Sequence, residues 1–369
     1  MGKKKKGSSR STTVSKESVV NALRVVTAGV KDLMLVSEME ETIWVPTMLT
    51  GYNRATGIGG HPLGRVMIIH GPEQVGKSVL AMILSESLRL AGHVSKIDDT
   101  EFASEKEWYS LITPCSILGH PTNLDVMREK QKELLDNLEK GKKARKKAER
   151  IPDEIGLSHV LDTISMLRPK GVMDKIEKEG IDKMYPLTAA WITDWMTEIV
   201  PRFRRTHSSL IIVSQERENM GAGPYEVKWR VPHGKALKYD NCLRVRVKGS
   251  KKVERDGVLV GMESVYVVAN NKVDGTTWEE ASFFVSNGRG DVPKGLDLVR
   301  EAMGEAKRRG VMKFEGNSVT AEALTRHGEP VEMFTVKGGW ENARQMLMED
   351  RAKFDLLVSE LNRMARRRP

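Results

Sequence analysis

The apolar and polar positions between residues 65 and 100 predict a strand, a helix and a second strand. Residues 65–70 (RVMIIH) form an almost continuous apolar run of strand length. Residues 78–91 repeat apolar side chains at helical spacing, and a second short apolar run covers residues 94–97. A strand, a helix and a strand in this order are typical of a parallel sheet in an α/β protein.

The pattern continues along the middle of the chain. Short apolar or alternating runs predict further strands at 159–161, 210–213, 242–247 and 264–269. Residues 187–200 place Trp191, Trp195 and Ile199 on one face of a helix. The middle of the chain therefore supplies enough strands and helices for one large sheet with helices packed against it.

The segments around these strands have other compositions. Residues 1–16 are rich in Lys, Ser, Thr and Gly, which predicts a disordered basic tail. Residues 17–35 have apolar residues at helical spacing and predict an amphipathic helix, packed on its own core or on a neighbouring subunit. Residues 51–64 are glycine-rich and predict loop and turn, whereas residues 122–150 predict a protruding helix with a strongly basic end.

The charge of the chain favours a polyanionic partner. The 369 residues contain 60 Lys and Arg against 50 Asp and Glu, a formal net charge of +10 at pH 7. Nucleic acid is the first candidate for such a partner and an anionic membrane is the second. For the basic end of segment 122–150, a DNA-facing surface and a solvated helix face remain equal alternatives.

Several classes of protein are excluded by what the sequence lacks. The chain has 2 cysteines, and neither CxxC nor HExxH spacing occurs, so a disulfide framework and a zinc site are not expected. The first ten residues (MGKKKKGSSR) are not followed by the apolar stretch of a secretory signal. No run of 18 apolar residues is present. We therefore expect a soluble cytoplasmic protein without a membrane partner.

The strongest motif is GPEQVGKS at residues 71–78, which fits the phosphate-binding pattern GxxxxGK[ST]. Its glycines let backbone N–H groups curl around phosphate oxygens, and the helix that follows directs its positive end at them. Lys77 is expected to reach the β- and γ-phosphates, and the Ser78 hydroxyl to bind Mg²⁺. Because the motif lies between an apolar strand and an apolar helix, it predicts binding of ATP or GTP.

Polar residues follow three of the predicted strands. Asp162 comes directly after the run 159–161 and is expected to orient the water shell of Mg²⁺, with a helix cap as the alternative. A carboxylate of the cluster at 98–101 could activate the attacking water, or cap a loop. Gln215, after the strand at 210–213, can contact a γ-phosphate and report its presence. Glu101, Asp162 and Gln215 are thus expected at one edge of the sheet.

Two basic loops follow these strand ends. The long loop after Gln215 contains four cations and two aromatic residues: Arg217, Tyr225, Lys228, Trp229, Arg230 and Lys235. Cations follow a phosphate backbone and aromatic rings stack on bases, so this loop predicts nucleic-acid binding, with an ordinary surface loop as the alternative. A second loop begins at Arg168 and Lys170 and is weaker, because acidic residues dilute its charge.

Four ordered motifs resemble those of the RecA recombinases, including the bacteriophage UvsX type. GHPLGRVMIIHGPEQVGKS is similar to the family's stretch leading into its P-loop, and HVLDTISML to its metal-aspartate strand. LIIVSQER resembles the strand that leads to its glutamine sensor, and HGKALKYDNCLRVRV the end of its second DNA loop with the next strand. The similarity runs from about residue 44 to about residue 350.

The resemblance implies roles for individual residues. For ATP it implies Gly71, Pro72, Glu73, Gln74, Val75, Gly76, Lys77, Ser78 and Val79, with Glu105 and with Trp108 stacked on adenine. It also implies that Ser78 and Asp162 hold Mg²⁺, partly through water. Glu101, in a DTEF stretch nearest the phage form, matches the catalytic glutamate, and Gln215 matches the link between γ-phosphate and DNA affinity. Lys272 matches one of two lysines that reach the neighbour's ATP in bacterial members; Asn270 and Asn271 stand beside it here.

The resemblance further implies DNA contacts and a domain organisation. The loops at about 168–184 and 216–234 match the two DNA-binding loops, which adds Met184 to the predicted contacts. The implied fold is an α/β RecA-like P-loop ATPase core with a mainly parallel twisted sheet, a short N-terminal helical segment and a small C-terminal α/β domain. The predicted domains are a disordered tail (1–16), an N-terminal oligomerisation segment (17–50), the ATPase core (51–290) and the C-terminal domain (291–369).

The resemblance thus implies an ATP-dependent recombination protein that forms helical filaments on single-stranded DNA and pairs it with homologous duplex. Expected partners are both forms of DNA, further copies of the chain, and single-strand-binding and loader proteins. The DTEF stretch and the basic end ARRRP, where an acidic tail is expected, lean towards a phage protein in a bacterial cytoplasm. Three alternatives remain: a hexameric replicative helicase on a related fold, a non-catalytic mediator, and a basic P-loop NTPase with another substrate.

Overall fold

The structure is a computed structural model that describes residues 42–102, 105–179, 185–218, 229–230, 241–289, 293–325 and 329–365, and residues 25 and 237 singly. Several predicted features lie outside the described residues: the tail at 1–16, the helix at 17–35 apart from residue 25, and Met184, Tyr225, Lys228 and Lys235. Trp229 and Arg230 are described in their backbone alone. The fold that follows belongs to the compact unit that begins at Thr42.

The strands and helices of this unit are numbered here in chain order. The strands are β1 (Trp44–Val45), β2 (His61–Pro62), β3 (Val66–Gly71), β4 (Val94–Asp99), β5 (Ile117–Gly119), β6 (Leu157–Asp162), β7 (Ser209–Gln215), β8 (Arg217–Glu218), β9 (Trp229–Arg230), β10 (Leu243–Arg255), β11 (Val258–Asn271), β12 (Glu280–Ser286), β13 (Gly295–Leu296), β14 (Met312–Glu315), β15 (Ser318–Leu324) and β16 (Pro330–Lys337). The helices are α1 (Thr50–Ala55), α2 (Lys77–Leu90), α3 (Lys106–Ile112), α4 (Leu124–Lys142), α5 (Lys170–Glu179), α6 (Tyr185–Arg205), α7 (Leu298–Arg308), α8 (Gly339–Glu349) and α9 (Arg351–Ala365). No helix within the described ranges combines the length and apolarity that crossing a membrane requires.

A nine-stranded sheet forms the centre of the unit. Its strand order is β13-β12-β11-β10-β3-β7-β6-β4-β5. Neighbouring strands from β10 to β5 run parallel, and those from β13 to β10 run antiparallel. The strands predicted at 65–70, 94–97, 159–161 and 210–213 are β3, β4, β6 and β7. The predicted α/β fold with a mainly parallel sheet is confirmed.

Apolar layers cover both faces of this sheet, which explains the continuous apolar runs of its parallel strands. In β3, Met67 and Ile69 belong to the cluster on one face, which includes α2. Val66 and Ile68 belong to the cluster on the other face, which includes α4 and α6. The predicted helix at 187–200 lies within α6, and its Trp195 is buried in this second cluster.

The helix predicted within residues 122–150 is present as α4, but our prediction that it protrudes was wrong, and the basic residues 143–150 lie beyond its end. The helix ends at Lys142, and its buried stripe includes Leu124, Met127 and Leu135. The stripe looked thin in the sequence because a polar residue, Gln131, occupies one of its fully buried positions. The charged residues of the helix are its outer face, as in other surface helices that cover a core.

The desolvation of the buried Gln131 amide is offset by a chain of hydrogen bonds between α6 and β4. Trp195 Nε1 donates to Gln131 Oε1 at 2.8 Å, and Gln131 Nε2 donates to His159 Nδ1 at 2.8 Å. His159 Nε2 then donates to Asp98 Oδ2 at 2.7 Å, and Lys96 forms an ion pair with the same carboxylate. Burial acts to raise the pKa of Asp98, but His159 and Lys96 hold it at about 2. Each buried polar group is therefore satisfied, as a stable core requires.

The chain after residue 293 forms the expected small α/β region. Strands β14, β15 and β16 make a three-stranded antiparallel sheet. Residues of α7, α8 and α9 pack with this sheet in one apolar cluster, which includes Met303, Phe334 and Leu357. The individual strands of this region were not among those predicted from the apolar pattern of the sequence.

The segment 51–64 contains a helix where we predicted loop and turn. Helix α1 begins at Thr50, whose backbone N–H and hydroxyl both donate to Glu301 Oε2, while Gly51 N–H donates to Glu301 Oε1 at 2.7 Å. A carboxylate from α7 thus supplies the acceptors that the first turn of a helix needs. Burial raises the pKa of Glu301 to about 7. The cap lies 250 residues away in sequence, so local composition could not reveal it.

Candidate nucleotide site and adjacent loops

The turn between β3 and α2 explains the two glycines of the phosphate-binding motif. Gly76 has a φ of 94°, and a Cβ there would lie 2.6 Å from Ser264 Oγ. A Cβ on Gly71 would lie 2.3 Å from the backbone oxygen of Val247. Both positions therefore require glycine, which has no Cβ and adopts positive φ without strain. The turn leaves the N-terminal end of α2, with its unpaired N–H groups, facing the edge of the sheet.

Lys77 is the first residue of α2 and its side chain is largely buried. Its Nζ donates to the backbone oxygen of Pro72, so the ammonium group folds over the turn. Burial lowers the pKa of Lys77, whereas the nearby carboxylates of Glu101 and Asp162 act to raise it. A cation held over unpaired N–H groups is an arrangement for binding phosphate.

Asp162 ends β6 beside the first turn of α2. Burial raises the pKa of this carboxyl to about 6, and a hydrogen bond with Ser78 acts against that shift. Its Oδ1 atom is buried and has no hydrogen-bond partner among the described residues. An unpaired buried carboxylate oxygen next to a hydroxyl fits a magnesium ion, which binds one or two protein oxygens together with water and phosphate.

Glu101 lies at the end of β4 in a turn that Asp99 fixes. Asp99 Oδ1 accepts hydrogen bonds from the backbone N–H groups of Glu101 and Phe102, both at 3.0 Å. Asp99 Oδ2 accepts one from the Tyr109 hydroxyl at 2.8 Å. Across the site, Gln215 Nε2 donates to Glu101 Oε1 at 3.4 Å. The sequence singled out Glu101 and Gln215, but did not assign a positioning role to Asp99.

These side chains line a cavity of about 830 Å³, a volume typical of small-molecule sites. Predicted residues on its wall are Glu73, Gln74, Gly76, Lys77, Ser78, Val79, Glu101, Trp108, Asp162 and Gln215. Further wall residues were not predicted and come from the antiparallel strands and the segment after them: Leu259, Gly261, Met262, Ser264, Phe283, Val285, Ser286, Asn287 and Lys294. The cavity thus has a polar end at the turn and an apolar end beside Trp108, suited to phosphates and a base respectively.

Other predicted residues lie elsewhere. Gly71, Pro72 and Val75 shape the turn without lining the cavity, and Glu105 is exposed at the start of α3. Lys272 follows the last residue of β11, which pairs with Leu243 of β10 at the edge of the sheet opposite the turn. This lysine therefore lies far from the cavity of its own chain.

A buried carboxylate next to Gln215 connects the end of β7 with the neighbouring strands β3 and β10. Glu216 Oε1 accepts hydrogen bonds from His70 Nδ1 and Arg246 Nε, both at 2.7 Å. Burial acts to raise the pKa of Glu216, but the bonds from His70 and Arg246 lower it to about 2. No local sequence pattern indicates this cluster, because its members are separated by 30 residues or more.

The two predicted DNA loops begin at the same edge as the cavity, since each follows the carboxyl end of β6 or β7. Arg168 and Lys170 are exposed. Residues 170–179 form helix α5, so our prediction of a loop was wrong for this part. The second segment begins with β8, whose Arg217 pairs with Arg230 of β9 in a short antiparallel ribbon. The side chain of Arg217 is exposed.

Comparisons with known proteins agree with this geometry. The family profile of the RecA N-terminal domain matches residues 26–290, the greater part of the chain. The chain is 25% identical to Protein RecA of Porphyromonas gingivalis over 342 residues, which cover 85% of this chain and 94% of the relative. It is 27% identical to Protein RecA of Thermus aquaticus over 308 residues, 82% of this chain and 84% of that one. The chain belongs to the RecA family.

Proposed function

We propose that this protein is an ATP-dependent DNA recombinase that assembles on single-stranded DNA and pairs it with a homologous duplex. The observation that carries the proposal is the convergence of Lys77, Asp162 and Glu101 on one cavity, with Gln215 at the start of a basic segment. A binding protein without catalysis would not need a glutamate held in place opposite the phosphate turn. Membership of the RecA family supports the same reaction class.

ATP binds with its phosphates in the turn at 71–76 and its base at the apolar end of the cavity. The N–H groups of the turn and the first turn of α2 donate to phosphate oxygens, and Lys77 moves its ammonium group from Pro72 to the β- and γ-phosphates. Trp108 offers the base an aromatic surface. Ser78 and Asp162 hold Mg²⁺, which neutralises charge on the phosphates when it is bound.

Glu101 is the general base for hydrolysis. Its carboxylate accepts a proton from the attacking water, because Asp99 fixes its turn and the group faces Lys77 across the cavity. Gln215 holds Glu101 in this structure and lies where a γ-phosphate would compete for its amide. A γ-phosphate that captures Gln215 Nε2 would shift the start of the DNA segment at Arg217. Hydrolysis returns the amide to Glu101 and releases DNA.

Assembly places Lys272 at the ATP of the next subunit. The position of this lysine at the opposite edge of the sheet supports a role between chains, because it cannot reach the cavity of its own chain. The cavity of each subunit then faces the Lys272 region of its neighbour, a head-to-tail contact that forms an open helical filament when its rotation does not close into a ring. Residues 17–50 contribute to the same contact, and the domain boundaries at 51 and 291 remain as predicted from the sequence.

The subtype and setting are also part of the proposal. The DTEF stretch supports a phage-type recombinase, which would act in the cytoplasm of a bacterial host with single-strand-binding and loader proteins. DNA contacts come from Arg168, Lys170 and Arg217, and from Met184, Tyr225, Lys228, Trp229, Arg230 and Lys235 in the rest of the two segments. Because most of these are cations, affinity is expected to fall steeply with salt.

Negative-stain electron microscopy with single-stranded DNA, Mg²⁺ and a slowly hydrolysed ATP analogue tests the proposal. We expect long helical filaments that require both DNA and nucleotide, followed by strand exchange between homologous substrates. Closed rings would indicate a helicase instead. DNA binding with neither filaments nor rings would indicate a mediator, and would reject the recombinase assignment.

A further inference from the structure

A compact basic lobe, Lys142–Arg150, lies at the end of α4. Its nine residues contain six Lys and Arg and one Glu, a net charge of +5 against +10 for the whole chain. The lobe leaves the helix and returns to it, because the backbone N–H of Ile151 donates to the backbone oxygen of Gly141 at 3.0 Å. The two residues also touch: a Cβ on Gly141 would lie 2.5 Å from Ile151 Cδ1. The lobe is thus a short loop whose two ends are held together at the end of the helix.

A second contact attaches the lobe to the body of the protein. Lys142 Nζ donates to the backbone oxygens of Asp153 and Thr206, and Thr206 lies between α6 and β7. Ile151 packs on the apolar cluster beneath. The lobe therefore presents its charges from a fixed position, which lowers the entropy lost when a partner binds.

Four cations of the lobe are exposed and uncompensated. Lys143, Arg145, Lys147 and Arg150 are exposed and have no ion pair or side-chain hydrogen bond with another described residue. Only Lys146 has an acidic partner in the lobe, Glu149, at 3.2 Å. Such like charges repel one another, so the cluster favours an anionic partner.

The lobe is remote from the nucleotide cavity. It leads through residues 151–156 into the amino end of β6, and Thr206 precedes the amino end of β7. Asp162 and Gln215 lie at the carboxyl ends of these same strands. Six residues of strand span about 20 Å, so a ligand on the lobe does not compete with one at the cavity edge.

We propose that the lobe is a second nucleic-acid site, which binds the phosphate backbone of duplex DNA. The lobe has no aromatic residue, so it cannot stack on the bases through which single strands are usually held. It also offers only alanine as an apolar side chain, whereas protein partners need apolar anchors. The closely spaced phosphates of duplex DNA can be bound by cations alone, without aromatic or apolar contacts. The inference extends the proposed function, but it requires neither nucleotide nor hydrolysis.

The test is the affinity of the full chain for a labelled non-homologous duplex, measured by fluorescence anisotropy without nucleotide at several salt concentrations. The variant carries Lys143→Gln, Arg145→Gln, Lys147→Gln and Arg150→Gln. Its matched control carries Lys143→Arg, Arg145→Lys, Lys147→Arg and Arg150→Lys, which retains every charge. We expect the variant to bind at least about tenfold more weakly, with a log–log salt slope smaller by about 3 to 4. The control should bind as the wild type does.

Single-stranded DNA binding with an ATP analogue separates this site from the predicted loops. The neutral variant should keep this binding within a few-fold and should keep its filaments. Unchanged duplex affinity of the neutral variant would overturn the proposal. This holds even if the variant no longer binds an acidic protein, because the lobe would then be a protein-binding site. An equal loss of affinity for duplex and for single-stranded DNA would overturn the proposal as well, because the charge of the lobe would then attract any nucleic acid without forming a duplex site. Failure of filament formation by the wild type would reject the recombinase assignment but not the lobe.

Discussion

The two edges of the central sheet use charge in opposite ways. At the cavity on the carboxyl edge, charges of opposite sign face one another: the buried Lys77 lies near Asp162 and Glu101, and the buried carboxylate of Glu216 binds Arg246. At the amino edge, the basic lobe exposes cations that no described carboxylate balances, with the exception of Lys146. The paired groups at the carboxyl edge hold one another at distances of a few ångströms. The cations of the lobe provide only a local excess of positive charge.

This difference indicates what each edge can recognise. A nucleotide with its metal is small and needs donors, acceptors and a base at defined positions, so its site gains from buried, mutually oriented groups. A nucleic-acid backbone is a long array of equal charges, so its site needs cations but little geometry. Substitutions in the cavity should therefore give large losses at any salt concentration, whereas those in the basic lobe should give graded losses that shrink as salt is added.

The largest effect is expected for Lys77→Ala. The variant loses the cation that faces the phosphates, and we expect an affinity for ATP with Mg²⁺ lower by about 10³-fold, since truncating a buried charged partner costs about 2–5 kcal/mol. Nucleotide-dependent DNA binding should disappear with it. Isothermal titration calorimetry measures the first and anisotropy the second. Lys132→Ala, an exposed position on α4, is the control; ATP-stimulated DNA binding by Lys77→Ala would place the nucleotide elsewhere.

Glu101→Gln separates binding from hydrolysis at the same edge. The amide keeps the size of the side chain and can still contact Gln215, but it cannot accept a proton from water. We expect ATP and DNA binding close to wild type and a turnover slower by about 10²-fold or more, the usual contribution of a general base. Single-turnover hydrolysis of labelled ATP is the measurement. Turnover at the wild-type rate would mean that another group activates the water.

A substitution of Lys272 tests whether this residue of one subunit acts at the nucleotide cavity of the next subunit. We expect Lys272→Ala to bind ATP normally but to hydrolyse it about tenfold or more slowly in the filament, because it removes a cation from the transition-state charge of the neighbour's phosphate. Glu101→Gln is also slow but retains Lys272. Mixing the two variants creates interfaces that contain both an intact Glu101 and an intact Lys272, about a quarter of a random one-to-one filament.

The mixed filament should therefore hydrolyse ATP faster than either variant alone. Each variant mixed with itself at the same total concentration is the control, and electron microscopy verifies that both co-assemble. Co-assembly without recovered hydrolysis would place Lys272 outside the neighbour's site, and the opposite edge would then contribute to subunit contact alone.

The sequence predicted the carboxyl edge better than any other part of the molecule. GPEQVGKS is contiguous, and its two glycines are explained by local backbone and close contacts at Ser264 and Val247. Asp162 and Gln215 follow short apolar runs of strand length, and parallel strands bring their carboxyl ends together. Contiguous motifs and strand ends thus suffice for the phosphate half of the cavity.

The parts that could not be predicted depend on contacts distant in sequence. The base half of the cavity uses Met262 and Val285, from strands whose position in the sheet local patterns do not determine. The first turn of helix α1 is capped by the carboxylate of Glu301. Helix α4 is joined to α6 through Gln131, a polar residue that the sequence alone would assign to the surface. In each case a single tertiary contact overrides local preference.

The smallest effect is expected for Glu216→Gln, which tests whether burial of charge matters at the carboxyl edge. Because the pKa of Glu216 is about 2 in the folded chain, below the usual value for glutamate, its contribution to stability is present above about pH 4.5 and is lost as the pH falls towards 2. The variant should be less stable by about 1–3 kcal/mol at pH 7, as for hydrogen bonds to charged groups. The difference from wild type should shrink at pH 3, and urea unfolding at both values measures it. Glu280→Gln is the matched control, since Glu280 pairs with Lys248 on the exposed surface and should change stability by less than about 1 kcal/mol. An equal loss at pH 3 and pH 7 would show that the carboxylate charge of Glu216 does not hold β7 to its neighbours, and the contrast between the two edges would then rest on Lys77 and Glu101 alone.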